Sequence, residues 1–250
     1  MEENSDITDF GFEKVTKNDK SKRVRGVFDS VAPSYDSMND IMSFGIHRAW
    51  KSFLLSQTCL HDGDTALDIA SGTGDLTESL ASKVGNKGKV FLTDINASML
   101  NKGRDRLFDK CMLNNINYLQ VDAENLPFKN NSIKCVSIAF GLRNVTNKLS
   151  VLQEMNRVLC PGGRALILEF SKPILKFLEP AYDLYSFQIL PGLGELIADD
   201  ADSYRYLAES IRMHPNQQSL KNMMISAGLE DCHYYNLSGG IVALHVGYRY

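Results

Sequence analysis

Thr65-Ala66-Leu67-Asp68-Ile69-Ala70-Ser71-Gly72-Thr73-Gly74-Asp75 decides how the chain is read. Thr65–Ala70 is an apolar run of strand length. Ser71–Asp75 is a glycine-rich turn that leads into an amphipathic segment, Leu76–Val84. Taken alone the turn is a weak signal, since many loops carry two glycines. The segments downstream strengthen it. A second strand, Lys89–Ile95, ends in Asp94, and a helix is expected over Ala97–Lys110. A third strand, Ile116–Val121, ends at Asp122. A fourth, Ile133–Phe140, leads to Gly141–Asn144. A helix over Lys148–Leu159 stops at Cys160-Pro161-Gly162-Gly163. The fifth strand, Arg164–Phe170, is nearly all apolar and reads as buried on both faces. This alternation argues for an α/β architecture with a parallel sheet and right-handed crossovers.

After Ser171 the rhythm breaks. Residues 173–214 hold no clear strand and read as a helical insertion after the fifth strand. Asp202 or Ser203 is the expected cap of a helix whose Tyr204, Leu207, Ala208 and Ile211 share one face. A helix over Gln217–Ala227 follows. Two strands, Cys232–Leu237 and Ile241–Tyr248, pair antiparallel through Ser238-Gly239-Gly240. Residues 1–25 are polar. Within them Lys14–Arg25 holds six basic residues and one acid. That stretch reads as a solvated helical face or a loose arm, with a weak hold on anionic lipid as the functional alternative.

Composition narrows the class. The chain has 250 residues, 44% hydrophobic and 23% charged, which suits a globular protein with a full core and excludes a disordered or collagenous chain. A net charge of -3 offers no global positive field, so no nucleic-acid partner is expected. No apolar run approaches the roughly 18 residues of a spanning helix. The five cysteines show neither zinc nor CxxC spacing, so reduced thiols and no metal are expected. The first thirteen residues hold five acids and no Lys or Arg, unlike a transit peptide. The compartment reads as a bacterial-type cytoplasm.

In open α/β sheets ligands sit outside the carboxyl ends of the strands. Asp68, Asp94 and Asp122 fall at three such ends. A dinucleotide site wants G-x-G-x-x-G, and from Gly72 the sixth position is Thr77, so that fingerprint fails. S-adenosylmethionine (SAM) fits better. It needs an acidic residue at the end of the second strand to hold both ribose hydroxyls, and Asp94 supplies it. Asp122-Ala123-Glu124 supplies a polar patch for adenine. A turn rich in carboxylates and poor in Lys or Arg suits a sulfonium better than a pyrophosphate. The structural alternative for each Asp is a helix cap or a turn residue. The closing hairpin resembles the edge of the seven-stranded class I methyltransferase fold.

Two longer stretches carry a more specific resemblance. One runs from Tyr35-Asp36-Ser37-Met38-Asn39-Asp40 through Gly45-Ile46-His47-Arg48-Ala49-Trp50. The other runs from Arg157 to Arg164 and on through Glu169-Phe170-Ser171. Both are similar to the signatures of the ubiquinone/menaquinone biosynthesis C-methyltransferases, as are Phe140–Val145 and Asp199–Arg212. The resemblance extends from about Phe10 to Tyr250. It departs at Cys160, where the family usually has Lys, and at Ser71, where Gly is frequent.

The resemblance implies a Rossmann-like class I methyltransferase domain over 26–250, with a mostly parallel seven-stranded sheet and a C-terminal antiparallel hairpin. A helical lid at 26–60 and the insertion at about 173–214 would cover it. It implies transfer of a methyl group from SAM to a ring carbon of a polyprenylated quinol. The acceptor would be a 2-methoxy-6-polyprenyl-1,4-benzoquinol, a demethylmenaquinol, or both. The family's SAM contacts map onto Thr73, Asp94, Asp122, Ala123 and Ala139, the last often Ser in the family. Asp68, Gly72 and Gly74 complete the expected cofactor set. Tyr182, Tyr185 and Tyr204, with Phe187 and Tyr206, would line a prenyl groove, the alternative being ordinary helix core. The expected partners are the quinol, a transiently visited membrane surface and other quinone-biosynthesis enzymes. A homodimer is compatible with the sequence.

The chemistry asks for an ionised quinol hydroxyl, because a ring carbon is a poor nucleophile until electron density is pushed onto it. A phenol with a pKa near 10 is scarcely ionised at pH 7 without a nearby cation or hydrogen-bond donor. Arg143 and Asn144 follow the fourth strand and should face the acceptor. The family is discussed with this Arg as the base. A guanidinium does not give up its proton readily, so stabilising the phenolate oxygen or polarising a water suits Arg143 better. A salt bridge under the sheet is its structural alternative. Asn144 would orient the water or the second ring oxygen. His47 and His214 are the remaining candidates for proton transfer, and Tyr35 and Asp36 sit in the lid as residues expected to close on the cofactor. Two rival readings stay open: a SAM-dependent enzyme for another small molecule, and a non-catalytic scaffold within a quinone-synthesis complex.

Overall fold

The computed structural model describes residues 6–32, 35–112, 114–174 and 200–250. Strands β1 (Ile7–Phe10) and β2 (Glu13–Thr16) form an antiparallel hairpin, followed by helices α1 (Lys17–Val31), α2 (Tyr35–Ser43) and α3 (His47–Ser56). Then come β3 (Thr65–Ile69), α4 (Asp75–Val84), β4 (Lys89–Asp94), α5 (Ala97–Asp109), β5 (Ile116–Gln120) and β6 (Ile133–Ala139). After a single 3-10 turn, Leu142–Asn144, follow α6 (Lys148–Val158) and β7 (Leu159–Phe170). The chain closes with α7 (Ala201–Met213), α8 (Gln217–Ser226), β8 (Glu230–Leu237) and β9 (Val242–Arg249).

Strands β3 to β9 make one seven-stranded sheet in the order β5-β4-β3-β6-β7-β9-β8. β3 to β7 pair parallel, and β9 runs antiparallel between β7 and β8. The parallel sheet and the antiparallel hairpin expected from the sequence are both present. Period-two alternation explains why the strands are apolar throughout. On β7, Ala165 and Ile167 face Leu152 and Met155 of α6 and Leu220 and Met224 of α8. Leu166 and Leu168 face the opposite layer, with Trp50 and Leu54 of α3 and Leu76 and Leu80 of α4. Both faces are covered, which is the condition for a buried parallel sheet.

Three local readings change. Cys160-Pro161-Gly162-Gly163 does not end before the strand but lies within β7. Ile133 pairs with Leu159 and Cys135 with Arg164, so the breaker residues form a bulge with Gly162 at φ +74°. The cap of α7 is Asp200, whose carboxylate accepts from the Ser203 backbone N–H at 3.0 Å, rather than Asp202 or Ser203.

Of the two readings of the N-terminal stretch, a solvated helical face or a loose arm, the helical one holds from Lys17, but Lys20 and Val24 turn inward, and the helix and the hairpin before it dock on the rest of the chain. Phe10 stacks on Tyr206 with ring centroids 4.2 Å apart. The Phe12 N–H donates to the Glu209 carboxylate at 3.1 Å. Lys20 is only 2% exposed, and its ammonium donates to the Val145 carbonyl at 2.8 Å. The basic run concealed this contact because a lysine stem packs like a hydrocarbon while its tip finds an oxygen.

Candidate functional site

The strand order reverses between β3 and β6, and a cavity of about 430 Å³ opens at the carboxyl ends of the strands there. Its floor is laid by the residues that leave four strands: Ile69–Ala70, Thr93–Asp94, Val121–Ala123 and Phe140–Gly141. Its opposite wall is α1, through Asn18, Ser21, Lys22, Arg25 and Phe28. Ala70 and Phe140 hold φ values of +51° and +57°, so two neighbouring strands both end in left-handed backbone. Such conformations are uncommon off glycine and gather at functional sites. Gly141 makes the close approach possible, because a Cβ there would lie 2.7 Å from the Ala70 Cβ.

Asp94 is the buried anion of this cavity. One carboxylate oxygen accepts from the Gly72 N–H at 2.9 Å and the other from the Asn96 N–H at 2.8 Å. Burial pushes its carboxyl up, and these backbone donors pull it back toward the ionised form. A carboxylate oxygen has two lone pairs, so each oxygen keeps one for a ligand, which is the pattern a vicinal diol requires. Gly72, Asp122 and Ala123 line the same cavity. Asp122 turns the chain by accepting from the Glu124 N–H at 2.9 Å. Glu124 ties the far side by accepting from the backbone of Thr146 at 2.9 Å and Asn147 at 2.8 Å.

Asp68 stands apart from the other two carboxylates. It is 1% exposed, and its oxygens accept from the Thr77 hydroxyl at 2.7 Å and the Ser137 hydroxyl at 3.1 Å. Burial pushes its carboxyl up to about 6, against those hydrogen bonds. It does not line the larger cavity. Asp68 borders a pocket of about 30 Å³ beneath the loop, together with Thr73, Ala139 and Lys51. Gly74 borders none of these spaces. At φ +75° it caps α4, and a Cβ there would meet Leu92 at 2.9 Å, so it fits the loop onto the core.

A second cavity, about 40 Å³, adjoins the first. Phe28, Tyr35, Phe140 and Asn144 border both. Val31, Met42, Trp50, Phe170 and Leu207 make it mostly apolar. Its polar groups include Arg143, Asn144, His47, Lys51 and Tyr206. Arg143 is 8% exposed and pairs with Glu169, itself 1% exposed, at 2.9 Å. The Arg143 guanidinium also donates to the Phe140 carbonyl and lies 5.5 Å from the Phe170 ring centre. Glu169 further accepts from the backbone N–H groups of Arg143 at 3.2 Å and Phe170 at 2.9 Å. Arg143 is thus both a buried ion pair and part of the cavity wall. The Asn144 side-chain oxygen accepts from the Tyr206 hydroxyl at 3.1 Å.

The aromatic expectation is redistributed. Tyr204 is buried against Val31, Phe28, Tyr35 and Met42 and borders neither cavity, whereas Tyr206 borders the smaller one. Helical spacing turns residues 204 and 206 about 200° apart, so both cannot face one groove. Tyr182, Tyr185, Phe187 and the Asp36 side chain lie outside the described residues. His214 is buried, and neither ring nitrogen has a hydrogen-bond partner among the described residues. It borders none of the three spaces. The sequence reading missed Glu169 and the α1 wall. Glu169 left a signal: it is the one charged residue in the apolar run Ala165–Phe170.

Comparison with known proteins gives the chain a family. The model of the ubiE/COQ5 methyltransferase family matches residues 15–249. The chain is 62% identical over 240 residues to the ubiquinone/menaquinone biosynthesis C-methyltransferase UbiE of Teredinibacter turnerae, covering 96% of each chain. It is 56% identical to the protein of the same name from Klebsiella pneumoniae over the full length of both. Among solved structures, a SAM-dependent methyltransferase of Thermotoga maritima, a possible histamine N-methyltransferase, superposes with a TM-score of 0.61 at 19% identity, covering 91% of this chain and all of that one. The Haemonchus contortus phosphoethanolamine N-methyltransferase 2 in complex with SAM gives 0.58 at 14% identity, covering 80% of this chain and 52% of that one. These two likenesses are of fold.

Proposed function

The chain belongs to the ubiE/COQ5 methyltransferase family, and on that premise we propose how its two cavities divide the work of a SAM-dependent C-methyltransferase of quinone biosynthesis. The larger cavity takes SAM, and the smaller, about 40 Å³, is the inner end of the site that receives the quinol ring. The observation that carries this reading is their junction. A cavity floored by the Asp94 carboxylate meets one walled by the Arg143 guanidinium, across Phe140 and Asn144.

The residues fit the methyl donor. A volume of about 430 Å³ lies within the range of small-molecule sites, roughly 300–1,000 Å³. Asp94 offers two spare lone pairs to the ribose hydroxyls, and Asp122-Ala123 sits where adenine would reach. When bound, SAM supplies an electrophilic methyl group on a sulfonium. Thr73 and Ala139, in the small pocket beneath the loop, support the cofactor from below, and Asp68 braces the loop that holds Gly72.

On the acceptor side, Arg143 faces the quinol oxygen and stabilises it as negative charge develops. Glu169 fixes the guanidinium so that this help needs no reorganisation at the moment of reaction. Asn144, held by Tyr206, orients the second ring oxygen. The apolar walls exclude water and hold ring carbon and methyl within roughly 3–3.5 Å. The acceptor is a demethylmenaquinol, a 2-methoxy-6-polyprenyl-1,4-benzoquinol, or both. No described helix is long and apolar enough to cross a membrane. A polyprenyl chain is nearly insoluble in water, so the acceptor is collected at a membrane surface.

Purified protein incubated with methyl-labelled SAM and each reduced quinone in turn tests the reading. We expect label on a ring carbon of at least one quinol, and none on the oxygens. Label on neither quinol would overturn it. Quinone profiles of a deletion strain then name the acceptor by the precursor that accumulates.

A further inference from the structure

The smaller cavity holds an imidazole whose hydrogen bonds are half made. His47 opens α3, is buried, and borders that cavity with Arg143 and Asn144. Its Nε2 lies 2.8 Å from one carboxylate oxygen of Asp40 on α2. The other oxygen of Asp40 accepts from Arg48 at 2.8 Å. His47 Nδ1 is buried and has no hydrogen-bond partner among the described residues. A neutral imidazole carries one N–H and one lone pair, and the nitrogen set against a carboxylate carries the proton. The lone pair is therefore on Nδ1. Buried polar atoms are nearly always partnered, so an unpaired acceptor on a ring that walls a binding cavity calls for a donor brought by the ligand. A quinol hydroxyl is such a donor.

We propose that His47 Nδ1 accepts the proton of the quinol hydroxyl and that Asp40 is its positioning residue, fixing the tautomer and stabilising the imidazolium. This rests on reading the smaller cavity as the acceptor site. The balance is complete without a further reagent. The hydroxyl proton moves to Nδ1, and the electron pair left on oxygen drives the ortho carbon onto the methyl group. The new C–C bond forms as the S–CH3 bond breaks, with that pair staying on sulfur. The ring carbon then loses its own hydrogen as a proton to solvent, and the imidazolium returns its proton to the oxygen. One proton is released per methyl transferred. Arg143 supplies the charge that stabilises the oxygen in between, so proton acceptor and oxyanion partner are separate groups.

The charged and titratable groups around the ring are paired with one another. Arg48 meets Asp40, Lys51 meets Asp75 of α4 at 2.7 Å, and Arg143 meets Glu169 across the cavity, with Tyr206 on the α7 side. Asp40 is the carboxylate in direct contact with the ring.

His47→Gln should lower kcat by about 100- to 10,000-fold, the usual worth of general base catalysis, while SAM affinity by calorimetry stays within about twofold. Added imidazole should restore part of the rate, and the residual rate should climb about tenfold per pH unit as hydroxide takes over. Asp40→Asn should lower kcat with SAM affinity unchanged and populate both His47 tautomers in nitrogen-15 spectra, because the ring loses the carboxylate that fixes its proton on Nε2. Nitrogen-15 spectra of the resting protein at neutral pH should show the Nε2–H tautomer of His47. Wild-type kcat in His47→Gln, a loss that neither imidazole nor pH alters, or an Nδ1–H tautomer would each overturn the proposal. Leu207→Trp separates this from the reading beneath it. It fills the smaller cavity and should raise the acceptor KM with SAM affinity unchanged. An unmoved KM would remove the acceptor site itself, whatever His47 does.

Discussion

The proposed donor and acceptor halves of the site are built in opposite ways. The donor half hangs from strand ends, and its decisive contacts are short in sequence. Asp94 is held by Gly72 and Asn96, and the loop hydroxyl of Ser71 donates to the Thr93 carbonyl at 3.1 Å. The acceptor half is assembled from the ends of the chain. Phe10 meets Tyr206, Tyr206 meets Asn144, and Arg143 meets Glu169. A rigid sheet with α1 laid across it forms one half, while the other is closed by helices from both ends of the chain. The difference teaches that the common chemistry, holding the methyl donor, is entrusted to backbone geometry. On the same reading, acceptor choice is entrusted to side chains.

The strongest test of that contrast is Asp94→Ala. It removes two acceptors from the ligand and leaves the Gly72 and Asn96 N–H groups without their partner. SAM affinity should fall by about 1,000-fold or more, at roughly 1.5–3 kcal/mol for each hydrogen bond to a charged group. Calorimetry reads it directly, and an unchanged Kd would unseat Asp94 from the donor half.

Glu169→Gln probes the other half. It leaves the Arg143 guanidinium buried without a counter-charge, a change that typically costs about 3–5 kcal/mol of stability. Turnover should fall by about 100-fold with SAM affinity unchanged at a temperature where the variant is folded. A parallel loss of SAM affinity would mean that the halves are not separable.

Asp68 offers the smallest and most local test. Its folded carboxyl sits at about 6, above the ordinary value of 3.8. Between roughly pH 4 and 6 the folded protein therefore holds a proton that the unfolded chain has released. Stability from this residue is greatest below that window and declines as pH rises through it, by about 3 kcal/mol at most. Asp68→Asn should flatten that decline in denaturant midpoints measured across the window. An unchanged slope would show that Asp68 titrates elsewhere.

What could be read in the sequence follows the same division. The strands, the glycine loop and the carboxylates at strand ends were legible because parallel strands buried on both faces leave apolar runs, and each run ends where a ligand can bind. Asp68 and Asp94 looked alike in that reading, but only the fold reveals that one turns inward to Thr77 and Ser137 and the other toward the cavity. The acceptor side was harder. Tyr204 and Tyr206 differ by two positions, and helix phase alone decides which meets the cavity. Glu169 could have been singled out as an acid inside an apolar strand, but its partner Arg143 lies 26 residues earlier, a pairing that spacing does not encode. Lys20 looked like one of six surface charges because nothing in its neighbours announces that the Val145 carbonyl will accept its hydrogen bond.

The docked N-terminal hairpin carries a consequence for time as well as for shape. Its anchors span 138 residues from Thr8 to Thr146 and 197 from Phe12 to Glu209. On a ribosome adding about 5–20 residues per second, the segment made first waits roughly 10–40 s before Glu209 exists to receive it. The parallel strands β3 to β7 can pair during that interval, but β8, β9 and the Glu209 anchor of the N-terminal hairpin cannot yet be in place. The nascent protein therefore acquires its parallel scaffold before its first-made segment is fully anchored.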